Sequence, residues 1–112
     1  MYNTWLTTSH FPAHADIEIR EITIGTLLRE VAAARPEAEA LVEVRQDGSG
    51  GQHWTYAELL KDAERLAKAL STRFVPGERV VVWSPNSPEW VLLEYASALS
   101  GLVLVTANPA FQ

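Results

Sequence analysis

The chain has 112 residues, 47% of them hydrophobic and 21% charged, which is the balance of one globular domain rather than of a disordered tail. The formal net charge is −5 and the nine Lys and Arg residues are scattered along the sequence, so a nucleic-acid partner is not expected. Cysteine is absent, which excludes disulfides, thiolate metal sites and a cysteine nucleophile in this sequence.

Residues 1–21 have no clean helical or strand period, and we expect an extended arm there. Its apolar side chains are expected to pack on a surface supplied by something else; they are Trp5, Leu6 and Phe11. Residues 22–112 then follow as one α/β subdomain. Its first helix is predicted over residues 24–34, because apolar residues recur there at helical spacing, Thr23 can cap the start and Pro36 ends it.

A β-hairpin is predicted next, with strands at about 40–45 and 52–55. The glycines between them supply the positive-φ residues of a turn. Thr55 then caps a long helix running to about Leu70, with Glu58 at the capping-box position. Its apolar stripe is Tyr56, Leu59, Leu60, Ala63, Leu66, Ala67 and Leu70. We also expect a charge pair between Glu64 and Lys68 on the polar side of this helix.

The last third of the sequence predicts a parallel, right-handed βαβ unit. A continuous apolar strand at 79–83 precedes a helix that starts at Ser87-Pro88 and ends at Gly101, and a second apolar strand occupies 102–105. Strands this apolar are typical of a sheet covered on both faces. The helix between them is expected to be buried nearly all round, with a narrow polar stripe toward water formed by Glu94, Ser97 and Ser100.

Nothing in the sequence follows the last strand to cover it. We therefore expect a fragment, or a subdomain that completes its fold against more protein. On its own the chain is expected to expose apolar surface and to self-associate.

Three groups of residues invite a functional interpretation, and each has a simpler one. The glycine cluster at 48–51 lacks the Lys-Ser or Lys-Thr pair of a phosphate-binding loop, so a plain hairpin turn is favoured. His10 and His14 have the spacing of a helical metal pair, but Pro12 lies between them, which favours a structural or solvent role. His53 has no nearby nucleophile and is interpreted as a packing or surface residue.

The loop at 84–88 lies at the carboxyl end of a predicted strand, where α/β proteins commonly bind anions. Glu89 in the first helical turn would repel a phosphate, so helix capping is favoured over ligand contact. Trp83 and Trp90 could wall an apolar substrate tunnel, although core packing is favoured. No catalytic, cofactor-binding or metal-binding residue is predicted in this chain.

Several strings resemble motifs of one enzyme superfamily. Trp54-Thr55-Tyr56-Ala57-Glu58-Leu59 resembles the first core motif of the adenylate-forming enzymes, such as the acyl-CoA synthetases. The stretch from Pro76 to Val80, followed by Ser84-Pro85-Asn86-Ser87, is similar to the "G-D-x-V … P-N" strand and turn of that family. The stretch from Ala98 to Pro109 resembles its second core motif, and the Asn108-Pro109 ending is most similar to the fatty-acyl and aryl-acyl CoA synthetases.

The resemblance implies the amino-terminal part of the adenylate-forming fold and a two-step ligase reaction. In that reaction a carboxylate attacks the α-phosphorus of Mg-ATP to give an acyl-adenylate, and the thiol of CoA then displaces AMP. It also implies that the phosphate loop, the metal-binding glutamate and the catalytic lysine lie beyond position 112, so no catalytic residue is carried over onto this chain. ATP, Mg and CoA are therefore implied for the full-length enzyme, and none is expected to bind this chain alone.

The implied partners are the downstream domains of the enzyme and a carboxylic acid substrate. A different hypothesis is a free-standing, non-enzymatic module that binds a partner through its apolar sheet edge. The sequence shows neither a signal peptide nor an apolar run as long as a membrane span, so we expect a soluble, cytoplasmic protein.

Overall fold

The computed structural model describes Thr7, Asp16 and residues 18–110, so most of the predicted arm at 1–21 lies outside the described residues. Seven helices and strands follow one another in this part of the chain. They are α1 (Ile24–Ala34), β1 (Glu39–Val44), β2 (Gly50–Thr55), α2 (Tyr56–Ser71), β3 (Arg79–Trp83), α3 (Pro88–Ser100) and β4 (Val103–Ala107).

The first helix, α1, begins and ends where the sequence predicts. The hydroxyl of Thr23 accepts a hydrogen bond from the backbone N–H of Thr26 at 3.1 Å, which satisfies one of the free amides at the helix start. Gly25 is buried against α3, and a Cβ at this position would lie 2.9 Å from Cδ2 of Leu99. The absence of a side chain at Gly25 therefore lets α1 pack closely on α3.

Strands β1 and β2 form the predicted antiparallel hairpin, with Val42 opposite His53. The turn includes Gly48 at φ +78°, a left-handed conformation that glycine adopts without steric cost. Trp54 is only 6% exposed, and its indole Nε1 donates a hydrogen bond to Oδ2 of Asp62 in α2 at 3.2 Å. This contact fastens the hairpin to the long helix.

Helix α2 has the predicted capping box. The backbone N–H of Glu58 donates to Oγ1 of Thr55 at 3.2 Å, and the backbone N–H of Thr55 donates to Oε2 of Glu58 at 2.8 Å. The core beneath the helix is formed by Leu28, Trp54, Leu59 and Ala63.

Two details of α2 differ from the prediction. Leu66, expected in the buried stripe, is only half-buried, so it lies at the border of the core. The sequence predicts that Glu64 pairs with Lys68 on the same helix. In the structure Oε1 of Glu64 instead accepts a hydrogen bond from Nε of Arg29 at 3.2 Å. The neighbouring helix α1 supplies the closer cation, which sequence spacing within α2 does not reveal.

The βαβ unit has the predicted parallel pairing, with Val81 opposite Val105 and Trp83 opposite Ala107. Val82 is buried together with Leu102, which immediately precedes β4. The opposite face is open: Val81 is 63% exposed, Trp83 65%, Val103 46% and Val105 39%. The expectation of a sheet covered on both faces is therefore not met among the described residues, because the helices cover only one side. We call these four side chains the open sheet face.

The polar stripe predicted on α3 is wrong for two of its three residues. Ser97 is 1% exposed, and Ser100 is half-buried and donates from Oγ to the backbone carbonyl of Ala96 at 2.6 Å. The same Oγ also lies 3.3 Å from the carbonyl oxygen of Ala67 in α2. The short side chain of Ser100 thus contacts the neighbouring helix, and Ser97 is buried, while Glu94 stays exposed.

Candidate functional site

A cleft of about 480 Å³ lies between the hairpin and the start of α3. One wall is β1 with the first residues of its turn, from Leu41 to Gln46. The other wall is the loop after β3 and the first turns of α3, which contribute Asn86, Ser87, Pro88, Glu89 and Val91. The cleft thus lies at the carboxyl end of β3, where an anion site is one interpretation of the sequence.

The first turn of α3 is satisfied by its own residues. Oγ of Ser87 accepts a hydrogen bond from the backbone N–H of Trp90 at 3.4 Å, which confirms the predicted cap. Hydrogen bonds from the backbone amide of Glu89 and from the side chain of Ser87 hold the pKa of the Glu89 carboxyl below its usual value. A carboxylate therefore already occupies the positive end of the helix dipole.

This cleft does not suit the phosphates of ATP. Its walls carry two carboxylates, those of Glu43 and Glu89, against one cation, Arg45. A polyphosphate placed there would face more negative than positive charge.

The first half of the glycine cluster, Gly48 and Ser49, lies in the hairpin turn that the sequence favours, and Gly50 and Gly51 begin β2. Oδ1 of Asp47 accepts two hydrogen bonds from Ser49, one from Oγ at 2.6 Å and one from the backbone N–H at 2.9 Å. These bonds, the one from the side chain first, hold the pKa of Asp47 below its usual value. Ser49 in the turn thus donates its hydrogen bonds to Asp47 of the same turn, as in an Asx turn.

The histidines form no site in the described part of the chain. His53 is exposed on β2, where its Nδ1 lies 2.7 Å from Oε2 of Glu39 on β1. His10 and His14 lie outside the described residues. Among the residues that the structure describes, no group of three or more His, Cys, Asp or Glu side chains is placed to hold a metal ion.

The two tryptophans considered as core residues have different surroundings. Trp90 is half-buried on α3, whereas Trp83 is 65% exposed at the end of β3. Core packing is therefore wrong for Trp83 within the described chain. A continuous apolar run cannot show which face of a strand is covered, and the alternation of buried and exposed residues along β3 appears only in the structure.

What this arrangement presents is an apolar surface rather than a reaction centre. The open sheet face combines four large hydrophobic side chains on β3 and β4. Among the described residues, these two strands pair only with each other. Unpaired strand edges and exposed apolar faces are characteristic of interaction surfaces. None of the described helices has the length and the apolar character that a bilayer crossing requires.

Comparison with known protein families gives one consistent result. The family described as AMP-binding enzyme matches residues 28–112 of the chain. The chain is 36% identical over 108 residues to the mitochondrial medium-chain acyl-CoA ligase ACSF2 of Danio rerio. That alignment covers 96% of the chain and 17% of the zebrafish protein, so the chain spans a small part of this relative.

Solved structures agree with the sequence comparison. A fatty acyl CoA synthetase of Mycobacterium tuberculosis superposes with a TM-score of 0.69 at 32% identity, over 80% of this chain and 17% of that one. The N-terminal domain of FACL13 from the same organism superposes with a TM-score of 0.69 at 34% identity, over 78% of this chain and 21% of that one.

Proposed function

Because the chain belongs to the family of AMP-binding enzymes, we propose that it is an amino-terminal structural portion of an ATP-dependent acyl-CoA synthetase. The whole enzyme would join a carboxylic acid to CoA through an acyl-adenylate. ATP, Mg and CoA would serve that reaction through residues outside this sequence. The contribution of this segment would be an α/β scaffold, formed by α1 to β4, on which those residues are arranged.

The open sheet face is the observation that carries this proposal. Burying apolar surface is worth about 25 cal/mol for each Å², so a face with Val81, Trp83, Val103 and Val105 exposed gains stability when another layer covers it. In the proposed enzyme that layer comes from its remaining domains, which are the partner of this segment.

The substrate proposed for the whole enzyme is a fatty acid. Two relatives support it by name, the medium-chain acyl-CoA ligase of zebrafish and the fatty acyl CoA synthetase of M. tuberculosis. The Asn108-Pro109 ending of the second core motif, which resembles that of fatty-acyl and aryl-acyl CoA synthetases, points the same way. The cytoplasmic location stays a prediction, and the name of the zebrafish relative places that protein in mitochondria.

A segment exchange tests the structural role. The matching 108 residues of the zebrafish ligase would be replaced by the corresponding residues of this chain, and formation of medium-chain acyl-CoA would be measured. We expect the chimera to form product, whereas a ligase that lacks the segment should form none. A matched chimera with Leu59→Asp, which puts a charge into the core, should also be inactive. A soluble, folded chimera with no more activity than the deletion would contradict the proposal.

A further inference from the structure

The outer side of the helical layer carries a second surface feature, a groove between α1 and α2. One part of it, of about 310 Å³, has an apolar floor that includes Ala32, Ala57 and Leu60. A neighbouring part of about 520 Å³ continues along α2 past Ala67 and Lys68. Both parts are lined by Arg29 and Glu64, which form an ion pair. We call the two parts together the basic groove.

One face of α2 forms the long wall of the basic groove. Its residues recur at intervals of three and four, as expected for a single helical face; they are Ala57, Leu60, Lys61, Glu64, Ala67, Lys68 and Ser71. The first and last are 14 positions apart, which is about 21 Å at 1.5 Å per residue. The groove is therefore long enough for about four turns of a second helix.

The charges of the basic groove are unbalanced. Arg29 and Glu64 neutralise each other through their 3.2 Å contact. Lys61 and Lys68 are exposed, and neither has an ion-pair partner among the residues that the structure describes. The groove therefore carries an excess of two positive charges in a chain whose formal net charge is −5. Lys61 and Lys68 are seven positions apart, or about 10.5 Å along the helix.

We propose that the basic groove binds an acidic amphipathic helix of a partner protein. Its apolar side would lie on the alanine and leucine floor, and two carboxylates spaced two turns apart would pair with Lys61 and Lys68. A nucleic-acid phosphate backbone is disfavoured because it has no apolar surface to pack on the floor of the groove. A lipid surface is disfavoured because the formal net charge of −5 opposes the approach of the chain to an anionic bilayer. This proposal does not depend on the proposed ligase activity.

The test uses a fluorescent synthetic peptide of about 16 residues, long enough to span the groove as a helix. It carries Glu at positions i and i+7 and Leu at i+3 and i+4, and fluorescence anisotropy measures its binding to the 112-residue chain. We expect saturable binding that weakens as salt is added. The double variant Lys61→Glu with Lys68→Glu should bind at least roughly tenfold more weakly, because two attractions become repulsions.

Two controls make the result specific. The variant Arg35→Glu with Arg45→Glu changes the net charge by the same amount at exposed sites outside the groove, and it should bind the peptide like the unmodified chain. A peptide with Lys in place of Glu should regain binding to the Lys61→Glu, Lys68→Glu variant. Circular dichroism would verify that all variants are helical.

Three outcomes would overturn the proposal. The first is the absence of saturable peptide binding. The second is an equal loss of binding in the Arg35→Glu, Arg45→Glu control, which would indicate a non-specific charge effect. The third is binding to vesicles of phosphatidylserine and phosphatidylcholine through Lys61 and Lys68 without binding of the peptide, which would identify a membrane surface instead.

Discussion

The hydroxyl of Ser97 on α3 is buried, with 1% of the residue exposed, and it has no hydrogen-bond partner in the described part of the structure. A buried hydroxyl without a partner costs free energy, since it has lost its bonds to water and gained none in return. Ser100, one turn later on the same helix, donates to the carbonyl of Ala96. The two serines thus differ in that the hydroxyl of Ser100 has a hydrogen-bond partner and that of Ser97 has none among the described residues.

We predict that Ser97→Ala leaves the free energy of unfolding unchanged or raises it by about 1 kcal/mol, because it removes an unsatisfied polar group at little cost in volume. Ser100→Ala should lower it by about 0.5–1.5 kcal/mol, because a hydrogen bond is lost. Urea denaturation measures both. A loss of more than about 1 kcal/mol for Ser97→Ala would show that the hydroxyl has a partner.

At the scale of single residues, the helix caps could be predicted from the sequence, whereas burial could not. Thr23, Thr55 and Ser87 could each be identified as helix caps, because a cap depends on the next three residues of the chain. The burial of Ser97 and the exposure of Trp83 could not, because they depend on which elements lie opposite. For the same reason the sequence indicates Glu89 at the start of α3 but not the second carboxylate of the cleft, Glu43, which the hairpin supplies.

At the scale of elements, α2 is the helix that contacts both other helices and both strands of the hairpin. It packs on α1 and α3, and the hairpin is fastened to it through Trp54 and Asp62. Its boundaries were predictable, because the capping box, the apolar stripe and the helix propensity of the sequence agree. Its tertiary partners were not, as the pairing of Glu64 with Arg29 illustrates.

Two leucines of α2 should respond differently to truncation. We predict that Leu59→Ala, at a site 2% exposed, lowers the free energy of unfolding by about 2–5 kcal/mol because it leaves a cavity in the core. Leu66→Ala should cost distinctly less, since Leu66 is half-buried and water can fill the space. Equal losses in thermal or urea unfolding would mean that the helix is rotated relative to the structure described.

At the scale of the whole molecule, the open sheet face exposes apolar side chains that a hydrophobic dye can bind. We predict that the isolated chain binds a hydrophobic dye such as ANS and self-associates. Val81→Lys should reduce dye fluorescence, because Val81 is 63% exposed in the centre of this face. Val75→Lys is the matched control, since Val75 is 64% exposed but lies outside the face, and it should leave the fluorescence nearly unchanged.

The same measurements separate the enzyme segment from the alternative of a free-standing interaction module. A monomeric chain with a sharp two-state transition and no dye binding would favour the module. Dye binding that disappears when the chain is placed in the zebrafish chimera would favour the segment, because the remaining domains would then cover the open sheet face.

We propose that these 112 residues serve as a scaffold and do not by themselves carry out the chemistry of the family to which they belong. Fatty-acid-dependent exchange of pyrophosphate into ATP, measured on the purified chain with Mg, tests it most directly, because exchange reports adenylate formation without needing CoA. We predict a rate equal to that of a heat-denatured sample, since the cleft at α3 presents carboxylates rather than a phosphate site. Exchange that rises with fatty-acid concentration and saturates would show that the chain forms an adenylate by itself.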